Sequence, residues 1–92
     1  MVRVKVRAFA QLGRVLGHEF DMRLKSGSDV GDLLRILQDR IGRGSKLVSS
    51  DGTIPPGLSV LLNGLSVQLS GGSRAALSEG DVVSLLPASA GG

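Results

Sequence analysis

The sequence predicts a two-layer α+β domain with one long helix lying on one face of a β-sheet. Three observations carry that expectation: two strictly alternating segments near the start, one stretch of helical apolar spacing after them, and three short apolar runs separated by turn residues towards the end. Each element has an apolar side to bury, and packing a helix against a sheet satisfies both.

In "VRVKVRAF", Val2, Val4 and Val6 fall on one face and Arg3, Lys5 and Arg7 on the other. Period two with β-branched residues inward is a half-buried strand. "HEFDMRL" repeats it, with Phe20, Met22 and Leu24 against Glu19, Asp21 and Arg23. The outward rows carry mostly opposite charges, which suits cross-strand neighbours. Between them "AQLGRVLG" is too short for a crossover helix, so a tight helical turn and an antiparallel pair are expected.

In "SGSDVGDLLRILQDRIGRG", Val30, Leu33, Leu34, Leu37 and Ile41 form one helical stripe. Asp29 is a suitable N-cap, with Asp32 three residues on. Acids in the first turn and Arg40 and Arg43 near the end suit the helix dipole. Gly42 or Gly44 provides the C-terminal stop. "SKLVSSDGTIPPG" reads as a loop throughout. "LSVLLNG" follows as a strand, with Asn63-Gly64 as a tight turn into "LSVQL". "DVVSLLP" is the last strand, ended by Pro87.

The strands "SVLLN" and "DVVSLLP" carry apolar residues at successive positions, so both their faces are apolar, yet only one long helix is available as cover. An uncovered apolar face marks a partner site. Leu61, Val82 and Leu86 are the candidates for it.

At 92 residues the chain makes one domain. Without cysteine it has no disulfide, thiolate metal site or cysteine nucleophile. His18 alone cannot build a zinc site. No apolar run approaches membrane-spanning length, and Arg3, Lys5, Arg7 and Arg14 leave no apolar leader segment, so a soluble, cytoplasmic domain is expected. The charge of +3 invites nucleic acid as a partner. Against that, the basic residues are interleaved with acids, and the only aromatics, Phe9 and Phe20, stand at core-like positions, which leaves no stacking platform.

Ser70 to Ser73, "SGGS", lacks the lysine and following helix of a nucleotide cradle and reads as a turn. Asp39, Asp51, Glu79 and Asp81 sit where caps and turns want them, His18 opens a strand as a surface residue, and Ser45, Ser49 and Ser50 lie in a loop. No self-sufficient active site assembles, and neither a bound cofactor nor a metal is expected.

The remaining feature is the end, "SLLPASAGG". A terminal carboxylate can attack the α-phosphate of ATP to give an acyl-adenylate, which then accepts a sulfur or amine nucleophile. Reaching another protein's active site needs a slim, extended terminus. Gly91 and Gly92 remove the Cβ atoms that would obstruct it. Ala88, Ser89 and Ala90 continue the narrow profile, and Pro87 stiffens the exit from the strand, so these four residues are expected to bind the partner together with the apolar face. The expected organisation is a domain over residues 1–87 and a flexible tail over 88–92.

"VLLNG", "LSEGDVVSLLP" and the terminal "AGG" together resemble the ubiquitin-like β-grasp sulfur carriers, and in particular the small subunit of molybdopterin synthase. "SDVGDLLRIL" is similar to that family's helix start and "DGTIPPGLSVLLNG" to its entry into the third strand. The resemblance runs in order over essentially the whole chain. It implies a mixed sheet with one main helix on one face. It also implies that an ATP-dependent adenylyltransferase related to ubiquitin-activating enzymes adenylates Gly92, which becomes a thiocarboxylate. The tail then enters the large catalytic subunit of the synthase and donates sulfur to a pyranopterin that holds molybdenum or tungsten. On that view the chain is no enzyme by itself, and ATP belongs to the activating enzyme. A protein modifier joined to lysines through the same glycine, a carrier for another thiolation pathway, and a plain binding domain are the rival expectations. The long loop from Gly44 to Gly57 tells against the thiamine type.

Overall fold

The computed structural model describes residues 1–43 and 45–87, so the expected helix stop at Gly44 and the expected tail, Ala88 to Gly92, lie outside the described residues. Strands β1 (Val2–Ala8), β2 (Glu19–Leu24), β3 (Leu58–Leu62), β4 (Leu65–Ser66) and β5 (Val82–Pro87) form one sheet in the order β2-β1-β5-β3-β4. β1 and β2 are antiparallel, as their short connection requires, with Val4 opposite Met22 and Val6 opposite Phe20. β5 lies between β1, to which it is parallel, and β3, to which it is antiparallel, so the sheet is mixed.

Helix α1 (Gln11–Leu16) fills the β1–β2 connection, and α2 (Val30–Ile41) is the long helix. Asp29 caps α2 by accepting the Asp32 N–H at 2.8 Å, while the Asp32 carboxylate accepts the Asp29 N–H at 3.0 Å. This reciprocal capping box, built from two aspartates, satisfies two of the donors a helix start leaves open. At the other end the Gly42 N–H closes onto the Gln38 carbonyl. Val30, Leu33, Leu34 and Leu37 are fully buried against Val4, Val6, Val83 and Leu85 in the core, with Ile41 half-buried at the end of the stripe.

Three details differ from the sequence reading. "LSVQL" is a strand only at Leu65–Ser66 and continues as a 3₁₀ turn over Val67–Leu69. The Ser66 hydroxyl accepts the Gln68 N–H, and the turn drops Val67 into the core, 1% exposed, where an extended chain would carry it past. Phe9 is 45% exposed, because the alternation of β1 that turns Ala8 inward turns the next residue outward, while its N–H still donates to the Leu85 carbonyl at 3.0 Å. The loop after α2 is not merely a connection, since its Leu47 is fully buried.

Gln38 holds that loop. Its amide nitrogen donates to the carbonyls of Gly42 and Ser45, both at 2.7 Å, and its oxygen accepts the N–H groups of Leu47 at 2.6 Å and Val48 at 3.3 Å. One side chain thus finishes the helix and seats the Leu47 plug. Gln38→Ala leaves part-buried backbone groups without partners and should cost about 1–3 kcal/mol, read as a lower urea midpoint at unchanged slope. Gln38→Glu, which keeps the acceptor and loses the donor, should recover only part.

Candidate functional site

The alternation of β5 sorts its residues without ambiguity. Val83 and Leu85 are fully buried beneath α2, while Val82, Ser84 and Leu86 point the other way and are half-buried. On β3, Leu61 stands opposite Ser84 and Ser59 opposite Leu86. Leu61 therefore sits diagonal to both Val82 and Leu86, within reach of long side chains. The three form an apolar triangle around Ser84. Pro87 stands opposite the buried Leu58 and has the inward parity, so the structure brings Leu61, Val82 and Leu86 together and puts Pro87 on the other face.

No described element covers that outer face. α1 touches α2, the 3₁₀ turn at Gly72–Arg74 also touches α2, and the Val67–Leu69 turn touches that one in sequence, so the described helical segments are tied to the inner side. Beside the triangle run the outward rows of β1 and β2, where Arg7 pairs with Glu19 at 3.1 Å and Lys5 lies between Glu19 at 3.4 Å and Asp21 at 3.7 Å. These pairs are exposed, and each adds little to stability.

The start of β5 is clamped by a residue read in the sequence only as a turn former. Asn63 and Gly64 take positive φ values of 52° and 87°, the hairpin turn that matches strand twist. The Asn63 amide nitrogen then donates to Asp81 Oδ1 at 3.0 Å, and its oxygen accepts the Val82 N–H at 2.9 Å. Asp81 Oδ2 accepts the Ser78 N–H at 2.8 Å. Two polar side chains thus fix where β5 begins and so which residues face outward. The signal was the same Asn-Gly pair, but its reach across to β5 depends on tertiary pairing.

The remaining polar residues serve turns. Thr53 donates to Asp51 Oδ1 through its hydroxyl at 2.6 Å and its backbone N–H at 3.1 Å, which holds the Asp51 carboxyl below its ordinary range. His18 is exposed, with its ring against the backbone of Gly13. Gly91 and Gly92, and with them Ala88, Ser89 and Ala90, lie outside the described residues. What the described part sets is the root of that tail: β5, central in the sheet, running out at Pro87 beside the apolar triangle.

Residues 6–92 match the ThiS family. The chain belongs to that family. It is 36% identical to small archaeal modifier protein 3 of Haloferax volcanii, over 99% of this chain and 100% of the relative. A second Haloferax volcanii protein, solved in solution, superposes with a TM-score of 0.86 at 34% identity, covering 99% of this chain and 87% of that one. A putative molybdopterin converting factor, subunit 1, from Pyrococcus furiosus superposes with a TM-score of 0.76 at 26% identity, covering 96% and 99%. This ThiS-family chain therefore has the ubiquitin-like β-grasp fold, and it is a small protein of the modifier and sulfur-carrier kind. Among the described residues no helix is long and apolar enough to cross a membrane.

Proposed function

We propose that the chain is a sulfur carrier whose Gly92 carboxylate is the reacting group, acting as the small subunit of molybdopterin synthase. The observation that carries this is the family match, which extends through residue 92 and so includes the diglycine. One Gly92 carboxylate oxygen attacks the α-phosphorus of ATP in the active site of a ubiquitin-activating-type adenylyltransferase, and pyrophosphate leaves. A sulfide-level nucleophile adds to the acyl carbonyl and AMP leaves, giving the thiocarboxylate. That sulfur then displaces an oxygen substituent from a carbon of the pyranopterin precursor in the large subunit of the synthase, and water cleaves the acyl–sulfur bond, which leaves the sulfur on the pterin and returns the Gly92 carboxylate. Gly91 keeps the passage to the reacting carbon open. Leu61, Val82 and Leu86 form the surface on which partners seat, with Pro87 to Ala90 leading the terminus away from it. Acid–base groups come from the partners.

A second acceptor is favoured by one observation, the name of the 36% identical relative, a modifier protein. There a lysine amine takes the place of sulfur and the product is an isopeptide. The adenylation step is common to both. Intact-protein mass spectrometry after incubation with ATP, the adenylyltransferase and a sulfur donor separates them. An oxygen-for-sulfur gain on the C-terminal fragment supports the carrier, and lysines of other proteins that carry a branched 75–92 remnant after tryptic cleavage at Arg74 support the modifier. An unchanged terminus with every donor and acceptor overturns both.

A further inference from the structure

The outward side chains of β1 and β2 meet in three cross-strand rungs, and the third breaks the pattern of the other two. Arg7 faces Glu19 and Lys5 faces Asp21, but Arg3 stands directly opposite Arg23. Like charges in that position weaken a sheet. The neighbouring carboxylate does not relieve them: Glu79 Oε1 accepts the backbone N–H of Arg3 at 2.9 Å, and among the described residues no ion pair joins Glu79 to either guanidinium. Met1, Val2, Arg3, Arg23 and Glu79 border a cleft of about 190 Å³. Its frame is fixed by backbone, since the Gly80 N–H donates to the Arg3 carbonyl at 2.8 Å.

We propose that Arg3 and Arg23 receive a carboxylate side chain of the activating enzyme when it docks on the outer sheet face. This rests on the reading of Gly92 as the adenylated terminus. The cleft holds two guanidiniums against one carboxylate, and it is of a size for a small anionic group. Paired guanidiniums suit a carboxylate, which can take two parallel N–H bonds from one of them. The cleft lies on the same outer face as the apolar triangle, one outward residue away along β1: Val82 stands opposite Lys5, and Arg3 is the next outward residue. Because β1 and β5 are parallel, Arg3 and the exit at Pro87 lie at opposite ends of the sheet. The five residue steps from Arg3 to Ala8, the partner of Leu85, alone span about 17 Å. An apolar contact near one end and a charged one at the other fix how the carrier is turned, and hence where its terminus enters. A destabilising rung in the free protein is the mark expected of a contact kept for binding.

The test uses the full chain as wild type, Arg23→Gln and Arg23→Glu, with the ubiquitin-activating-type adenylyltransferase of the same genome, following ATP-dependent pyrophosphate release against carrier concentration. Melting temperature of each free chain is measured alongside. Melting temperature should rise by a few degrees from wild type to Gln to Glu, as repulsion is removed and then replaced by attraction. The KM for the carrier should rise about tenfold for Gln and further for Glu, while kcat stays within about twofold, a loss confined to docking. Added potassium chloride should raise the wild-type KM more steeply than that of Arg23→Gln. KM values within about twofold of wild type in both variants overturn the proposal, as does a fall in their melting temperatures. Absence of pyrophosphate release with the wild type is a different result: it removes the assignment of Gly92 itself.

Discussion

A chain lacking Gly92 should be adenylated about a hundredfold more slowly, or not at all, with its melting temperature unchanged. Removing one residue draws the carboxylate back by about 3.3–3.6 Å along an extended terminus, and misplacement of a reacting group by about 1 Å already costs about 10²-fold. The core runs from Val4 to Leu85, and β5 is complete at Pro87. Gly91→Val is the companion variant, because it keeps the length and adds branched bulk in the passage. It should also lose loading, and a variant that loads normally would show that length and not slimness governs access. Pyrophosphate release and intact mass are the two measurements. If deletion of Gly92 leaves every activity of the chain intact, the terminus is not the reacting group and a binding domain is the better description.

Much of the fold is legible in the sequence because its strongest signals are local. The alternation of Val2, Val4 and Val6, the stripe from Val30 to Leu37 and the Asn63-Gly64 turn each act within one element, and each appears in the structure where its period places it. Asp29 and Asp32 were readable as a cap for the same reason. What escapes is what depends on pairing between distant segments. Nothing in "SKLVSS" announces that Leu47 is a core residue, because its place is set by Gln38 nine residues earlier. Val67 belongs to a segment whose alternation suits a strand, and only the turn at Ser66 and the need to close the core under β3 make it a 3₁₀ turn. The outer rows of β1 and β2 were readable as mostly complementary, whereas the clash of Arg3 with Arg23 required the register. The same holds for the apolar triangle: the composition of the two strands shows that both faces are apolar, and the register decides which leucine faces which way.

Leu85 and Leu86 turn that parity into an experiment, since neighbouring leucines in one strand should fail in opposite ways. Leu85 is fully buried between the sheet and α2, so Leu85→Ala loses both transfer energy and packing and should cost about 2–5 kcal/mol. Against a total stability of about 5–15 kcal/mol that is a large fraction, visible as a marked fall in the urea midpoint. Leu86 is half-buried on the open face, opposite Ser59 and diagonal to Leu61. Leu86→Asp exchanges an apolar contact with solvent on one side for a charge that water can still reach, and should change folding stability by about 1 kcal/mol or less. Its cost appears in the complex, where a carboxylate placed at the centre of an apolar contact should weaken binding of the adenylyltransferase by about thirtyfold or more, as loss of a central anchor of about 2 kcal/mol does. Urea denaturation of the free chains and calorimetric titration with the enzyme separate the two effects. The expected pattern is an unstable Leu85→Ala chain that still binds in its folded fraction, and a stable Leu86→Asp chain that does not. The reverse pattern would mean that β5 is turned over in the protein, and the outer face would then have to be sought among Val83 and Leu85.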